Sequence, residues 1–392
     1  MNKDLTRGPV MRSMLLLAVP MILGNLLQQC YNIADTLIVG QFLGKDALAA
    51  VGSSFTLMTF LTSILLGLCM GSGALFSIRF GQRDEKGLRE AVWASFVLIA
   101  AAALVLNVLA FACLDALKTF LRVPEEVWPL MRAYLAVIFF GIALYAWFRC
   151  PQLRGIGGNF RIRRGCLREI AGYSVLTCVQ QSVMNLGILM VQGLVNSFGS
   201  TVMAAFAAAV KIDAFAYMPV QDFGNAFSTF IAQNYGAGKE ACIRTGLKGA
   251  AAVSGLFCVG VSALVWVFAA PLMTLFVEKS ETGIILEGVR YLRIEGAFYC
   301  GIGCLFLLYG LYRALGRPGM SVVPTVISLG SRVALAYGLS AVPFIGVTGI
   351  WWSVPIGWAL ADITGILYYI LRRKQLLSSW EPEAAANENK NA

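Results

Sequence analysis

Long apolar runs alternate with short polar stretches along almost the whole chain. A helix needs about 20 residues to cross a hydrocarbon core of about 30 Å, and every run reaches that length. The runs are too long and too continuously apolar to be strands of a membrane barrel. The pattern therefore predicts an all-α, polytopic membrane protein with about ten transmembrane helices, near residues 13–37, 50–78, 91–114, 127–148, 173–196, 203–233, 249–270, 289–312, 320–341 and 348–371.

The composition narrows the class of protein and of chemistry. Hydrophobic residues make up 58% of the 392 positions and charged residues 13%, against about 25% charged residues in soluble domains. The chain has no histidine, which excludes histidine metal sites, Ser-His triads and histidine proton relays. It also lacks the HExxH and GxSxG patterns of two hydrolase classes. We therefore expect no metal site, no cofactor and no enzymatic activity.

Basic residues collect at alternate ends of the predicted spans. Of the 31 Lys and Arg residues, 22 fall in segments on one side of the membrane and seven on the other. By the positive-inside rule, this distribution predicts that both termini are cytoplasmic. The formal charge of +10 is scattered over several loops and forms no stripe, so we expect the lipid bilayer, and no nucleic acid, as a partner. The polar tail, residues 378–392, is expected to be disordered.

The chain resembles itself at an offset of 155 residues, with residues 44–57 aligning on residues 199–212. The same offset, without a gap, pairs glycine and charged residues further along: Gly81 with Gly236, Glu85 with Glu240 and Arg89 with Arg244. Four spans separate the copies, an even number, so both copies point the same way through the membrane. The repeat predicts an N-terminal lobe of four helices, residues 1–158, and a C-terminal lobe of six, residues 159–377.

Parallel repeats of this kind are one architecture of secondary transporters, which hold substrate between two lobes and open alternately to each side. The repeat by itself leaves a second interpretation open. In that interpretation the chain is a duplicated helical bundle without a transport role.

Polar residues form a stripe along the first predicted helix. At 100° per residue they fall within an arc of about 120°. A polar face of this size favours contact with a watery cavity or another helix over contact with lipid. Its members are Asn25, Gln28, Gln29, Asn32, Asp35 and Thr36.

Asp35 is the ionisable member of this stripe. A carboxyl group within a membrane is costly and by default suggests a function. In a partly dry site it takes up a proton or a small cation, whose release on the other side can be tied to a conformational change. The alternative is that Asp35 is solvated at the membrane interface. Pro20 in the same helix permits a functional kink or only a static bend.

The second half has no carboxyl group at the position equivalent to Asp35, because the repeat places Met190 there. Its candidates are other polar residues on its first two helices. Lys211 and Asp213 carry opposite charges and could neutralise one another or a neighbour. Aromatic rings such as that of Tyr217 suit a flat organic cation through cation–π contacts. The predicted lining of a substrate cavity consists of Asn25 and Gln29 from the first half and of Gln180, Gln181, Asn185, Lys211, Asp213, Tyr217, Gln221 and Asn225 from the second.

Two segments resemble the multidrug and toxic compound extrusion (MATE) transporters. Residues 17–52, LAVPMILGNLLQQCYNIADTLIVGQFLGKDALAAVG, are similar to the opening of prokaryotic members. Residues 223–239, FGNAFSTFIAQNYGAGK, are similar to the family's second-half signature. The resemblance implies an antiporter of the bacterial plasma (inner) membrane that exports organic cations or amphipathic drugs in exchange for protons or sodium, by alternating access. It also implies a coupling site of Gln28, Tyr31, Asn32 and Asp35 and a helix bend at Pro20.

The chain departs from this family in its number of helices. Members have six helices per half, whereas the first half here has four predicted spans. RGIGGN (154–159) is similar to the loop after the family's fourth helix, and FRIRRGCLREIAG (160–172) to the loop after the sixth. Two helices are therefore expected to be missing around Gly158. Three further interpretations follow: a homo-oligomer that covers the gap, a truncated protein without transport activity, or a lipid or polysaccharide flippase of the same superfamily.

A drug-resistance assay tests the predicted role of Asp35. Expression of the chain is expected to raise the tolerance of a host cell to cationic dyes, and Asp35→Asn is expected to abolish that gain because the side chain can no longer bind and release an ion. Growth at graded dye concentrations measures both effects. Equal tolerance of cells with and without the chain would favour the truncated, non-transporting interpretation.

Overall fold

The computed structural model describes residues 4–42, 44–112 and 164–378, together with Pro129 and Arg132. This part of the chain is helical, without strands, which confirms the predicted all-α polytopic class. Eight of its helices are long and apolar enough to cross a membrane, and one bent pair forms a ninth candidate span. The helices are α1 (Val10–Phe42), α2 (Gly44–Gly81), α3 (Glu85–Ala112), α4 (Arg164–Asn196), α5 (Ser200–Gly236), α6 (Glu240–Met273), α7 (Thr282–Gly296), α8 (Tyr299–Ala314), α9 (Gly319–Ser340) and α10 (Val347–Ser378).

The bent pair corrects one prediction, because residues 289–312 are not one straight span. Helices α7 and α8 meet at a bend of 52°. Phe298, with φ −116° and ψ 18°, lies outside the helical region, and Gly296 ends α7 just before it. Glycine is a weak helix former, whereas the apolar run continues across the break and conceals it. Apart from Pro129 and Arg132, the predicted span at 127–148 lies outside the described residues, as do the lobe boundary at 158 and 159 and the tail beyond residue 378.

The internal repeat is visible in the helices themselves. Helices α1, α2 and α3 begin at residues 10, 44 and 85, and α4, α5 and α6 begin 154 to 156 residues later, at 164, 200 and 240. The repeated charges also have the same local partner, because Glu85 pairs with Arg89 and Glu240 with Arg244 along one turn of helix. The predicted repeat therefore appears both in the positions of the helices and in individual ion pairs.

The two halves meet where α2 and α5 end. A Cβ atom added to Gly81 would collide with the backbone carbonyl of Gln233, and one added to Gly236 would collide with the carbonyl of Ile78. Both pairs, Ile78 with Gln233 and Gly81 with Gly236, are related by the offset of 155 residues. A contact in which each partner meets the other's counterpart has two-fold symmetry. A pseudo-two-fold axis therefore passes between α2 and α5 at this point.

The N-terminal segment reinforces the same end of the bundle. The backbone N–H of Leu5 donates to Oε1 of Gln233 at 2.9 Å, and Nδ2 of Asn234 donates to the Leu5 carbonyl at 3.3 Å. Nζ of Lys239 donates to the carbonyl of Thr6 at 2.6 Å. Residues 4–9 thereby tie the start of α1 to the end of α5. We call this end of the bundle, with the turns α2–α3, α5–α6 and α8–α9, the basic end, since it carries Arg7, Arg79, Arg83, Lys239 and Arg317.

Aromatic packing forms the core of the second half. The ring of Phe206 stacks on Trp351 with centroids 5.5 Å apart, and Tyr291 meets Trp351 edge-on at 5.0 Å. Trp351 is fully buried, whereas apolar side chains such as Leu256 and Leu371 are exposed on the outside of the bundle. An exposed apolar exterior around a packed core is what a lipid environment requires.

The two-fold contact predicts matched effects of two substitutions. Gly81→Ala and Gly236→Ala each place a Cβ atom into a backbone carbonyl of the other half, so both are expected to separate the halves at the basic end. Electron–electron distances between spin labels at the exposed residues Lys86 and Lys248, in a cysteine-free background, are expected to lengthen in both variants. Gly73→Ala in α2 is the matched control, because a Cβ there meets no neighbouring atom. Unchanged distances in both variants would contradict the prediction.

Candidate functional site

The polar stripe of α1 faces the second half of the molecule at two positions. Nδ2 of Asn25 donates to Oδ1 of Asp222 at 2.6 Å. One turn further along α1, Nε2 of Gln29 lies 3.3 Å from the sulfur of Met218. Because the order of partners on α5 is reversed, α1 and α5 run antiparallel along this line. We call these four residues, Asn25, Gln29, Met218 and Asp222, the α1–α5 seam.

The other predicted coupling residues extend the stripe along α1. Nδ2 of Asn32 donates to Oε1 of Gln29 at 2.9 Å, and Nε2 of Gln28 lies 3.4 Å from Oδ1 of Asn32. The Tyr31 side chain is exposed. Asp35 lies within α1, but its side chain is outside the described residues.

Pro20, the predicted point of bending, lies inside α1, which runs from Val10 to Phe42 as one helix. The missing N–H of Pro20 leaves the carbonyl of Leu16 without its usual helical donor. The helix therefore has a weak point about one turn before the α1–α5 seam.

Asp222 breaks the symmetry of the repeat. Its counterpart in the first half is Gly67, 155 residues earlier. A Cβ atom at Gly67 would stand 2.5 Å from Cα of Cys178, and one at Gly71 would stand 2.6 Å from Cα of Ser174, so α2 and α4 touch backbone to backbone. The α1–α5 seam instead holds a buried carboxyl group, and Oδ2 of Asp222 has no hydrogen-bond partner among the described residues.

A second group of predicted residues surrounds a small cavity of about 10 Å³, close to the volume that one water molecule needs. Nη2 of the buried Arg313 approaches Oδ1 of Asn225 at 3.4 Å on its wall. Oγ of Ser321 donates to Oε1 of Gln180 at 2.9 Å. The cavity is lined by Met70, Gln180, Gln181, Met184, Gln221, Asn225, Phe306, Tyr309 and Arg313. Asn185 lies nearby and donates to the carbonyl of Gln181 at 3.0 Å.

A third group lies in the core of the second half. Asp213 on α5 and Glu295 at the end of α7 are both buried, and at least one oxygen of each has no hydrogen-bond partner among the described residues. The guanidinium group of Arg332 on α9 attracts both carboxylates, and Tyr217 lies within the same electrostatic environment. One guanidinium can balance one carboxylate, which makes the second carboxyl group a candidate for binding a proton or another cation.

Of the two expected ways of neutralising Lys211 and Asp213, the direct pair is not found. Lys211 is exposed, whereas Asp213 is buried, and no ion pair joins them in the part of the chain that the structure describes. Two residues that are two positions apart on a helix are separated by about 200° around its axis, so their side chains lie on nearly opposite faces. The predicted cavity residues thus divide into three separate groups, with Lys211 outside all of them.

Sequence reasoning overlooked Asp222 and gave Glu295, Arg313 and Arg332 no specific role. The signal was present, because a charged residue within a membrane span is a functional candidate by default. Asp222 stands beside Gln221 in α5, so the sequence pattern alone does not distinguish it from its polar neighbour. Glu295 lies near the start of the predicted span at 289–312, a position that favours solvation over burial. The structure places it instead at the break between α7 and α8, inside the core.

A model of the MatE family matches residues 20–152 and 175–338 of the chain. The chain belongs to the MatE family. The two matched segments begin 155 residues apart, which equals the predicted offset of the repeat. Relatives of the chain are named probable multidrug resistance proteins or, in one case, an FAD transporter, so the chain is a multi-pass membrane protein of a transporter family and not an enzyme.

Individual relatives agree with this membership. YpnP of Bacillus subtilis, a probable multidrug resistance protein, is 26% identical over 93% of this chain and 96% of its own length. That alignment runs over 432 residues, more than the 392 of this chain, so part of YpnP has no counterpart here. The expected loss of two helices near Gly158 falls outside the described residues and stays a prediction.

Solved structures share the fold. A MOP superfamily transporter from Pyrococcus furiosus superposes with a TM-score of 0.86 at 19% identity, over 96% of this chain and 98% of that one. A multidrug resistance MATE transporter in an outward-facing conformation gives a TM-score of 0.85 at 20% identity, over 95% and 98% of the two chains.

Removal of Arg332 tests the carboxyl cluster of the MatE protein. Arg332→Met removes the positive charge that stabilises the buried carboxylates of Asp213 and Glu295. We therefore expect a lower melting temperature in detergent, largely restored when Glu295→Gln is added. Arg244→Met is the control, because Arg244 pairs with Glu240 on an exposed turn of α6 and exposed pairs contribute about 1 kcal/mol or less. Equal melting temperatures for Arg332→Met and the control would contradict this assignment.

Proposed function

We propose that the chain is a secondary antiporter that exports organic cations or amphipathic drugs in exchange for protons or sodium. Its membrane is the bacterial inner membrane, and the basic end faces the cytoplasm, in accord with the positive-inside rule. The observation that carries this proposal is the two-fold contact of Gly81 and Gly236, which closes the interface between the halves at the basic end. Further along the same interface, the α1–α5 seam is polar. A polar interface between two repeat-related halves suits alternating access.

The chemistry of the two-fold contact supports a rocking motion. The two glycines contribute no side chain, so the contact consists of backbone atoms that can separate without breaking an interlocked core. The bonds from Leu5 and Thr6 to α5 and its following turn can exchange for bonds to water once the basic end opens. Rigid halves that pivot about a small contact are a known route to switching.

Coupling to an ion gradient follows from the carboxyl groups. Asp213 and Glu295 are both buried and both lie under the influence of the Arg332 charge, which supports a site where one of them holds a proton or a cation. Asp35 is the second proposed coupling residue, with Gln28, Tyr31 and Asn32 around it on α1. One charge moving through about 100 mV gains about 2.3 kcal/mol, which supports a concentration ratio of roughly fifty.

The substrate class follows from family membership and from the acidic seam. YpnP is named a probable multidrug resistance protein. The bilayer supplies amphipathic compounds directly, because α1 exposes apolar residues such as Leu23 and Leu27 beside its polar stripe. If a single chain leaves the first half open to lipid, the proposal includes a homo-oligomer in which a second copy covers that half.

Ethidium efflux from vesicles tests the function. The purified chain is reconstituted, and a pH gradient or a sodium gradient is imposed separately. Faster efflux under one gradient, abolished by its ionophore, is the expected result and identifies the coupling ion. Vesicles that carry Glu295→Gln together with Asp35→Asn are the matched control, since both proposed ion sites are then neutral. Absence of gradient-driven efflux, for monomer and oligomer fractions alike, would leave the truncated, non-transporting alternative.

A further inference from the structure

The α1–α5 seam contains a carboxyl group whose requirements the described residues do not satisfy. Asp222 is 4% exposed, and its Oδ1 accepts one bond from the neutral amide of Asn25. Its Oδ2 has no hydrogen-bond partner, and no Lys or Arg among the described residues lies within ion-pair distance of it. Burial of a carboxylate with only one neutral donor costs free energy. A positive group beside Asp222 would offset that cost.

We propose that Asp222 is the second-half contact for the positively charged group of the exported compound, and that Asn25 holds the carboxylate while the site is empty. This inference rests on the proposed export of organic cations and names the residue that would bind them. Asn25 and Asp222 lie 197 positions apart in the chain, on helices of different halves. When the halves pivot, the amide moves away with α1 and the carboxylate becomes accessible.

The asymmetry of the repeat supports a ligand on this side of the molecule. The equivalent seam, between α2 and α4, is closed by backbone contact at Gly67 and Gly71. Two close-packed glycines leave no room for a compound between those helices. The α1–α5 seam is instead held apart by side chains, each of which can turn aside. A ligand between the halves would therefore meet Asp222 and not its repeat counterpart Gly67.

The groups around Asp222 favour a large organic cation over a metal ion. The neighbours along the seam are the amides of Asn25 and Gln29 and the thioether of Met218. Small hard cations need several oxygen ligands at fixed distances, and the described residues contain no cluster of three or more acidic, Cys or His side chains that could hold a metal. A thioether is soft and adaptable, which suits apolar ring systems of different shapes.

Binding of tetraphenylphosphonium to the purified full chain tests the proposal. Isothermal titration at constant pH and sodium concentration is expected to show at least a ten-fold weaker affinity for Asp222→Asn and less than a three-fold change for Asp222→Glu. Asn25→Ala is expected to bind about two-fold more tightly, because the competing donor is gone. Glu240→Gln, which removes an exposed carboxylate at the basic end, is the control and is expected to match the parent chain.

The variants also distinguish the possible failures. Loss of affinity to the same extent in Asn25→Ala and Asp222→Asn would mean that their bond only holds the helices together, which overturns the proposal. Parental affinity in Asp222→Asn would overturn it as well. Unchanged affinity combined with lost ion dependence of ethidium efflux would make Asp222 a coupling residue instead. If the parent chain itself binds and exports no cation, the proposed function fails, whichever residue is changed.

Should Asp222→Asn not remain monodisperse in detergent, the Asp222→Glu and Asn25→Ala pair decides the question. Tighter binding in Asn25→Ala together with near-parental binding in Asp222→Glu supports the proposal. A loss of ten-fold or more in both variants contradicts it, because a retained carboxylate should retain the cation.

Discussion

Two backbone contacts at the basic end organise the rest of the molecule. Gly81 and Gly236 allow α2 and α5 to touch without intervening side chains, and each glycine meets a carbonyl group on the other helix. Because the contact is symmetric, it fixes the axis that relates the halves. The placement of α1 against α5 and of α4 against α2 follows from this axis. The polar stripe of α1 consequently faces the second half, where Asp222 lies.

The low polarity of the surroundings gives the few charged groups their importance. Outside the bundle, side chains such as Leu256 and Leu371 require lipid. Inside it, Asp213, Glu295 and Asp222 have lost water and have gained only part of the hydrogen bonding that water supplied. A soluble protein would solvate such groups. In this protein they have to be satisfied by each other, by a proton or by something that enters from outside.

Sequence patterns predicted the features that depend on local or repeated information. Span length and apolarity located the helices, and a constant offset revealed the two halves, because helix formation in a membrane depends mostly on the segment itself. The break at Phe298 is not visible in the sequence pattern, because it depends on the backbone of two residues within a continuous apolar run. The pairing of Asn25 with Asp222 was unpredictable for a different reason. It depends on how α1 crosses a helix that is almost 200 positions away.

The seams show how the two copies of an ancestral duplication were free to diverge in one place and not in another. At the basic end, an alteration in one copy changes the partner of the other, so Ile78, Gly81, Gln233 and Gly236 can drift only as a set. The seams beside the axis carry no such obligation, since each is made from a different pair of helices. Gly67 and Asp222 occupy corresponding places there, and one became a tight backbone crossing while the other acquired a charge. The two copies thus share one symmetric contact, whereas the seams on either side of it differ in packing and in charge.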